Sequence, residues 1–180
     1  MKLLGAVLAG GQASRFGSDK ALAEIGGHSL LSLAVDALVP WCDTVVVVGR
    51  SEAPTSTLPD WPRPDMGPLG GIAAALRLAR TDGFDAVLTV GVDSPGLPAD
   101  LLERLLPAPA YLADQPVIGL WPVGADEAIM EILNGDGRHS LRALAERTGA
   151  RPVDLGAAVS NVNTPDDLAA LAQAGVKRPS

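Results

Sequence analysis

The sequence predicts an α/β fold: three layers, with a mostly parallel sheet covered by helices on both faces. Short apolar runs alternate with helix-length segments through the first 106 residues, the pattern of successive βα units. The runs are apolar throughout rather than on every second residue, as strands covered on both faces are. The first run ends at Gly10-Gly11, at the carboxyl end of a strand, where open α/β sheets take their ligands.

Leu3 to Ala9 is the first buried strand. Ser29 to Val39 carries Leu30, Leu33, Ala34, Ala37 and Leu38 on one stripe and reads as an amphipathic helix. Thr44 to Val48, a threonine and four valines, is a second strand. Ser51 to Gly71 is rich in Pro and Gly and reads as a long loop, a length usually tied to function or disorder. Pro68 to Arg80 is a helix with proline in its first turn. Ala86 to Val92 is a third strand and Pro98 to Leu106 a short helix. The pattern then loosens: Pro107 to Gln115 is loop-like, and Val117 to Trp121 fits a strand. Ala125 to Leu133 and Ser140 to Thr148 read as helices, and Arg151 to Leu155 as a short strand. Thr164 to Ala174 closes the series, with Thr164 as N-cap, Pro165 at the first position and Asp166-Asp167 in the first turn. No internal repeat or linker is visible, so residues 1–176 are expected to form one domain, with 177–180 a frayed tail.

The 180 residues suffice for one sizeable core. Apolar residues make up 47% and charged residues 19%, as in a globular chain; aromatics are only 3%, so aliphatic side chains must fill the interior. A net charge of -7 argues against non-specific nucleic-acid binding. Cys42 is the only cysteine, which excludes an intramolecular disulfide and a cysteine-based zinc cluster; it reads as a small apolar filler. No apolar run reaches the roughly 18 residues of a membrane span. Met1 to Gly11 lacks the form of a cleaved signal peptide, so the expected compartment is the cytoplasm.

The chemistry gathers in Leu8 to Lys20, LAGGQASRFGSDK. Ala9-Gly10-Gly11 lets backbone approach a ligand without Cβ obstruction, and consecutive N–H groups there can cradle an anion. Arg15 offers a planar fork for phosphate oxygens, Gly17 keeps the loop compact, and Lys20 adds a mobile point charge that Asp19 is placed to orient. The segment is neither a Walker A loop nor a G-x-G-x-x-G fingerprint. Its residues point to phosphate binding.

This stretch resembles the L-A-G-G-x-x-x-R-[MF]-G-x-x-K signature of sugar-nucleotide and cofactor nucleotidyltransferases, and its Asp-Lys ending is similar to the molybdenum cofactor guanylyltransferase (MobA) branch. The resemblance continues in Asp60 with Gly67-Pro68-Leu69-Gly70-Gly71, in Val92-Asp93-Ser94-Pro95, in Gln115 to Pro122 and in SNVNTPDDL, Ser160 to Leu168. It implies a Rossmann-like nucleotidyltransferase fold. It also implies transfer of GMP from GTP to the terminal phosphate of molybdenum-molybdopterin, with release of pyrophosphate. Such a transfer is governed by positioning and charge stabilisation, with Mg²⁺ as cofactor.

On that resemblance Leu8, Ala9, Gly10 and Gly11 hold the nucleotide through backbone atoms, and Arg15 and Lys20 bind its phosphates. Asp60, or Asp65 nearer to Gly67, accepts hydrogen bonds from guanine. Asp93, at the carboxyl end of a buried strand, is the expected metal ligand, with Asn163 or else Asn161 as a second. The family's Asn after the second strand has no counterpart in Val45 to Arg50, where Arg50 faces either solvent or phosphate. Gln115 stands where the family has His. Arg138, His139 and Arg142 fall in a segment resembling the cofactor-facing region, although His28 and His139 also read as surface residues. GTP and molybdenum-molybdopterin are thus the expected partners, with a cofactor-delivery protein as a further one; a monomer is expected, with no nucleic acid and no membrane. The rival readings are a molybdenum cofactor cytidylyltransferase or another small nucleotidyltransferase and, from a different class, a nucleotide-binding partner protein without catalysis.

Overall fold

The computed structural model describes residues 1–11 and 19–174. Arg15, Gly17 and the expected frayed tail lie outside the described residues. In chain order the elements are β1 (Leu3–Leu8), a 3₁₀ turn (Lys20–Leu22), β2 (Glu24–Ile25), β3 (His28–Ser29), α1 (Leu30–Leu38), β4 (Thr44–Val48), β5 (Thr57–Leu58), α2 (Gly67–Asp82), β6 (Ala86–Gly91), α3 (Leu101–Leu105), β7 (Ala110–Leu112), β8 (Gly119–Pro122), α4 (Ala125–Asn134), α5 (Leu141–Thr148), β9 (Arg151–Val153) and α6 (Pro165–Ala174).

Seven strands form one sheet in the order β5-β4-β1-β6-β8-β7-β9. β5, β4, β1 and β6 are mutually parallel, β8 runs against both β6 and β7, and β9 is parallel to β7. The mostly parallel sheet is therefore as the apolar runs predict. The period of two in each strand sorts its side chains between two cores. Leu3 and Val7 of β1, Val45 and Val47 of β4, and Leu88 and Val90 of β6 join one core with α1 and α3. Leu4 and Ala6, Val46 and Val48, and Val87 face the other, filled by α2, α4 and Leu144 of α5. Both faces are covered, which is why these runs show no polar alternation.

Local chemistry sets several boundaries. Ser29 caps α1 by accepting the Ser32 N–H at 3.1 Å, so the helix begins one residue after its expected start. At α6, Thr164 Oγ1 accepts the Asp167 N–H at 3.2 Å while the Asp167 carboxylate accepts the Thr164 N–H at 2.8 Å. This reciprocal capping box fixes the expected N-cap. Two loop readings are corrected. Pro107 to Gln115 contains β7, and Ser51 to Gly71 contains β5 and the first turn of α2. Strands of two or three residues are too short to show periodicity and exist only through their neighbours' hydrogen bonds. The helix expected from Pro98 starts only at Leu101, and the strand expected over Arg151 to Leu155 stops at Val153.

Thr89 of β6 is wholly buried in the sheet, yet its hydroxyl is satisfied. It donates to the Val117 carbonyl at 2.7 Å and accepts from Trp121 Nε1 at 3.1 Å. This fixes β8 against β6 where the strand direction reverses.

Candidate nucleotide site

The strand register brings three chain turns to one level. Leu8 pairs with Val48 on one side and Gly91 on the other, so β1, β4 and β6 end side by side. Ala9 N–H donates to the Val48 carbonyl at 3.0 Å and Val92 N–H to the Leu8 carbonyl at 3.3 Å, continuing the ladder past the strands. Above these ends lies a cleft of about 1380 Å³.

Glycines shape the floor. Gly49 has φ +88°, and a Cβ there would stand 2.6 Å from Gly10 Cα. Only glycine at position 49 permits this approach of backbones, whereas a Cβ at Gly10 would meet Gly49 Cα at an ordinary 3.4 Å. α2 enters with Gly67 and Pro68 in its first turn, no side chain capping it, and Gly71 facing Leu8. With no side-chain cap, the N–H groups and dipole of that first turn favour negative charge at this edge of the cleft.

Asp60 sits in this glycine-walled part, its carboxylate oxygens within 4 Å of where Cβ atoms at Gly10, Gly49 and Gly71 would be. Burial pushes its pKa above the usual aspartate value, and the neighbouring Asp65 adds to the rise; N–H groups of Met66 and Asp65, donating to the carboxylate, oppose it. Asp65 also lines the cleft, but is exposed and has φ 62°, a left-handed conformation that aspartate tolerates.

Asp93 follows β6 across the cleft. Its carboxylate folds back over Gly91, where a Cβ would lie 2.5 Å from Oδ1. Lys20 Nζ approaches Asp93 Oδ2 at 3.7 Å, with both side chains partly exposed. The 3₁₀ turn therefore carries Lys20 to the strand end from which Asp93 projects. Val162 N–H donates to the Asp93 carbonyl at 2.8 Å, so the Asn161–Asn163 stretch runs alongside Asp93. Val162 is buried and both asparagines are exposed. The Asn163 N–H serves the α6 cap through Asp167, at 2.9 Å.

Asp93 offers a hard divalent cation one carboxylate beside the phosphate cation Lys20, a donor set that fits an ion bound mainly by water and substrate phosphates; Asn161 and Asn163 lie next to it along the chain but are not among the residues that line the cleft. Among the described residues there is no cluster of three or more His, Cys, Asp or Glu that would make a dedicated all-protein cage.

Leu8, Ala9, Gly10, Gly11, Lys20, Asp60 and Asp93 all line one cleft. Several sequence readings change. Asp19 does not touch the Lys20 ammonium; its carboxylate grips Arg50 at 2.6 and 2.9 Å and accepts the Ala21 N–H, so it acts on Lys20 only through the turn that carries it. Of the two positions open to Arg50, solvent or phosphate, the structure puts it on the cleft wall, largely buried and with its charge paired to Asp19. Gln115 is a tie: Ser94 Oγ donates to Gln115 Oε1 and Gln115 Nε2 donates to the Val159 carbonyl, both at 2.7 Å. It fastens the Asp93-Ser94 turn to the chain leading to Asn161. Arg138, His139 and Arg142 are not brought to the cleft. Arg142 pairs with Glu146, and His139 Nε2 meets the Gly135 carbonyl at 3.0 Å. His28 lies exposed on the β2–β3 hairpin. Cys42 is half-buried and its thiol is pushed up to about 12, chiefly by burial, which leaves it an unreactive filler. Gly49 and Gly91 escaped the sequence reading as site residues; the one available signal was glycine at or just past the end of an apolar run.

Comparison with known proteins gives the family and the fold. The family model for the MobA-like NTP transferase domain matches residues 5–159. The molybdenum cofactor guanylyltransferase of Rhodobacter capsulatus is 35% identical, with 94% of each chain covered. That of Acidiphilium cryptum is 33% identical, covering 94% of this chain and 93% of the relative. Among solved structures, the molybdopterin-guanine dinucleotide biosynthesis protein A of Archaeoglobus fulgidus superposes with a TM-score of 0.73 at 22% identity, covering 93% of this chain and 95% of the other. A nucleotidyl transferase from Methanothermobacter gives 0.71 at 17% identity, covering 96% and 97%. Likeness at such identities shows the Rossmann-like fold.

Proposed function

The chain belongs to the MobA-like NTP transferase family, and from that premise we propose that it transfers GMP from GTP to the terminal phosphate of molybdenum-molybdopterin. The observation that carries the reading is the meeting of Lys20 with Asp93 in the same cleft as the glycine-walled Asp60. On this reading Asp60 is the base-reading carboxylate, Lys20 the phosphate cation and Asp93 the metal-binding carboxylate of one cleft. The relatives' names supply the acceptor.

In the reaction, an oxygen of the acceptor's terminal phosphate attacks the α-phosphorus of GTP. The new P–O bond forms as the bond from the α-phosphorus to the bridging oxygen breaks, and pyrophosphate leaves with that electron pair. The attacking phosphate is already anionic at neutral pH, so no general base is needed and the protein's task is alignment and charge stabilisation. Asp60 accepts from the guanine N1–H and N2–H₂ pair. Backbone atoms of Leu8, Ala9, Gly10 and Gly11 pack on the nucleoside and its phosphates. Lys20 and Arg15 draw charge from the leaving group. Asp93 and Asn163 would hold Mg²⁺, which when bound neutralises the phosphates. A cytoplasmic enzyme acting as a monomer, taking its acceptor from solution or from a delivery protein, completes the reading.

Equilibrium binding of GTP against CTP with Mg²⁺ tests it. Tighter GTP binding is expected, with the preference reduced in Asp60→Asn; tighter CTP binding overturns the guanylyl assignment.

A further inference from the structure

We propose that Arg50 is a positioning residue for the nucleotide reaction: it latches Asp19 to the end of β4 and so sets Lys20 for the triphosphate. The inference rests on the guanylyl reading above. Arg50 follows the tight Gly49 turn, and its Nη1 and Nη2 donate to Asp19 Oδ1 and Oδ2 at 2.9 and 2.6 Å. This two-pronged contact fixes orientation as well as distance, which a point charge would not. The two residues lie 31 positions apart in the chain, so the contact closes the whole segment from the phosphate loop to β4. The Arg50 side chain is only 19% exposed, and its Nε is buried with no hydrogen-bond partner among the described residues. A guanidinium desolvated to that degree is costly unless its remaining nitrogens are well held, and Asp19 is what holds them.

Asp19 passes the constraint on. Its Oδ1 also accepts the Ala21 N–H at 3.2 Å, and its carbonyl accepts the Leu22 N–H at 3.1 Å, so it caps the 3₁₀ turn that presents Lys20. Lys20 then points to Asp93 rather than to its own neighbour. The latch has an electrostatic side as well. An unpaired Asp19 would compete with the phosphates for Lys20 and would repel a triphosphate in the cleft it lines. Arg50 removes that competition.

Arg50→Lys, Arg50→Gln, Asp19→Asn and the Asp19→Asn/Arg50→Gln double variant test the proposal. Asparagine preserves the cap to Ala21, so Asp19→Asn removes chiefly the ion pair. Each single variant is expected to weaken GTP binding with Mg²⁺ by about tenfold, the scale of a charge-assisted contact. The double variant should be no weaker than the singles, because both remove one interaction. At saturating GTP, Arg50→Lys should still turn over more slowly than wild type, because a misplaced Lys20 stabilises the leaving group less, so the effect appears in kcat as well as KM. In the nucleotide-free protein, Arg50→Gln should speed hydrogen exchange at the amides of Ala21, Leu22 and Ala23. Wild-type affinity in Arg50→Lys would reduce the pair to charge balance and overturn the latch. Tighter GTP binding in Asp19→Asn would make Arg50 a direct phosphate ligand and overturn it equally, as would unchanged exchange in Arg50→Gln. Failure of the wild-type protein to bind GTP would contradict the guanylyl reading, and the exchange measurement would still decide the latch.

Discussion

Replacing Gly91 by alanine should stop transfer without unfolding the protein. A Cβ at this position would lie 2.5 Å from Asp93 Oδ1, whereas carbon and carboxylate oxygen settle at about 3.3–3.6 Å. The carboxylate must therefore move by about 1 Å. The next neighbour of that methyl, Val117 Cγ1 at 3.5 Å, is an ordinary contact, so the strand need not shift. The displaced group is the end of a partly exposed side chain and can rotate away at little cost, while alanine restricts the unfolded chain slightly. Stability should stay within about 1 kcal/mol of wild type. Catalysis should suffer far more, because a misplacement of about 1 Å at a reacting centre can lower rates by about 100-fold. Urea unfolding followed by tryptophan emission gives the first quantity, and pyrophosphate release from GTP with the acceptor gives the second. A turnover rate within about threefold of wild type would refute the assignment of Asp93's geometry. A destabilisation of about 3 kcal/mol would show that the sheet, not the carboxylate, had yielded.

Asp93→Ala should lower transfer by at least about 1,000-fold with unfolding unchanged, since the side chain is partly exposed and serves no core contact; normal pyrophosphate release would remove Asp93 from the mechanism. Lys20→Ala should weaken GTP binding by about 10- to 150-fold in a titration with Mg²⁺, and unchanged affinity would count against the loop as phosphate clamp. Asp60 bears on pH. Because burial raises its pKa in the folded protein, the native state holds this proton more tightly than the unfolded chain. Its carboxylate therefore costs stability progressively as pH rises from the ordinary aspartate value of 3.8 through the raised folded value. The stability of Asp60→Asn relative to wild type should consequently improve between pH 4 and pH 7 in urea titrations, while its GTP affinity falls; a relative stability independent of pH would contradict the buried-carboxylate account.

The parallel half of the sheet was legible because its strands announce themselves. Val45 to Val48 and Leu3 to Val7 are uninterrupted apolar runs, and only strands covered on both faces can carry them. The half beyond α3 was not, since β7 and β9 have three residues each and are held by pairing rather than by pattern. The site divides in the same way. Gly10, Lys20 and Asp93 were visible as residue types at strand ends. Arg50 was not, because its partner is 31 residues away and nothing local distinguishes a paired arginine from a phosphate-seeking one. Gln115 was read against an expected acceptor contact, whereas its two hydrogen bonds to Ser94 and Val159 come from loops that only the folded sheet brings together.

The most direct test incubates the purified protein with Mg²⁺, GTP and molybdenum-loaded molybdopterin and follows both products. One pyrophosphate should appear for each guanine dinucleotide formed, with CTP a poor substitute and the Asp93→Ala variant inactive. Tight GTP binding without pyrophosphate in a well-folded preparation would contradict the transferase reading and leave a nucleotide-binding module in its place.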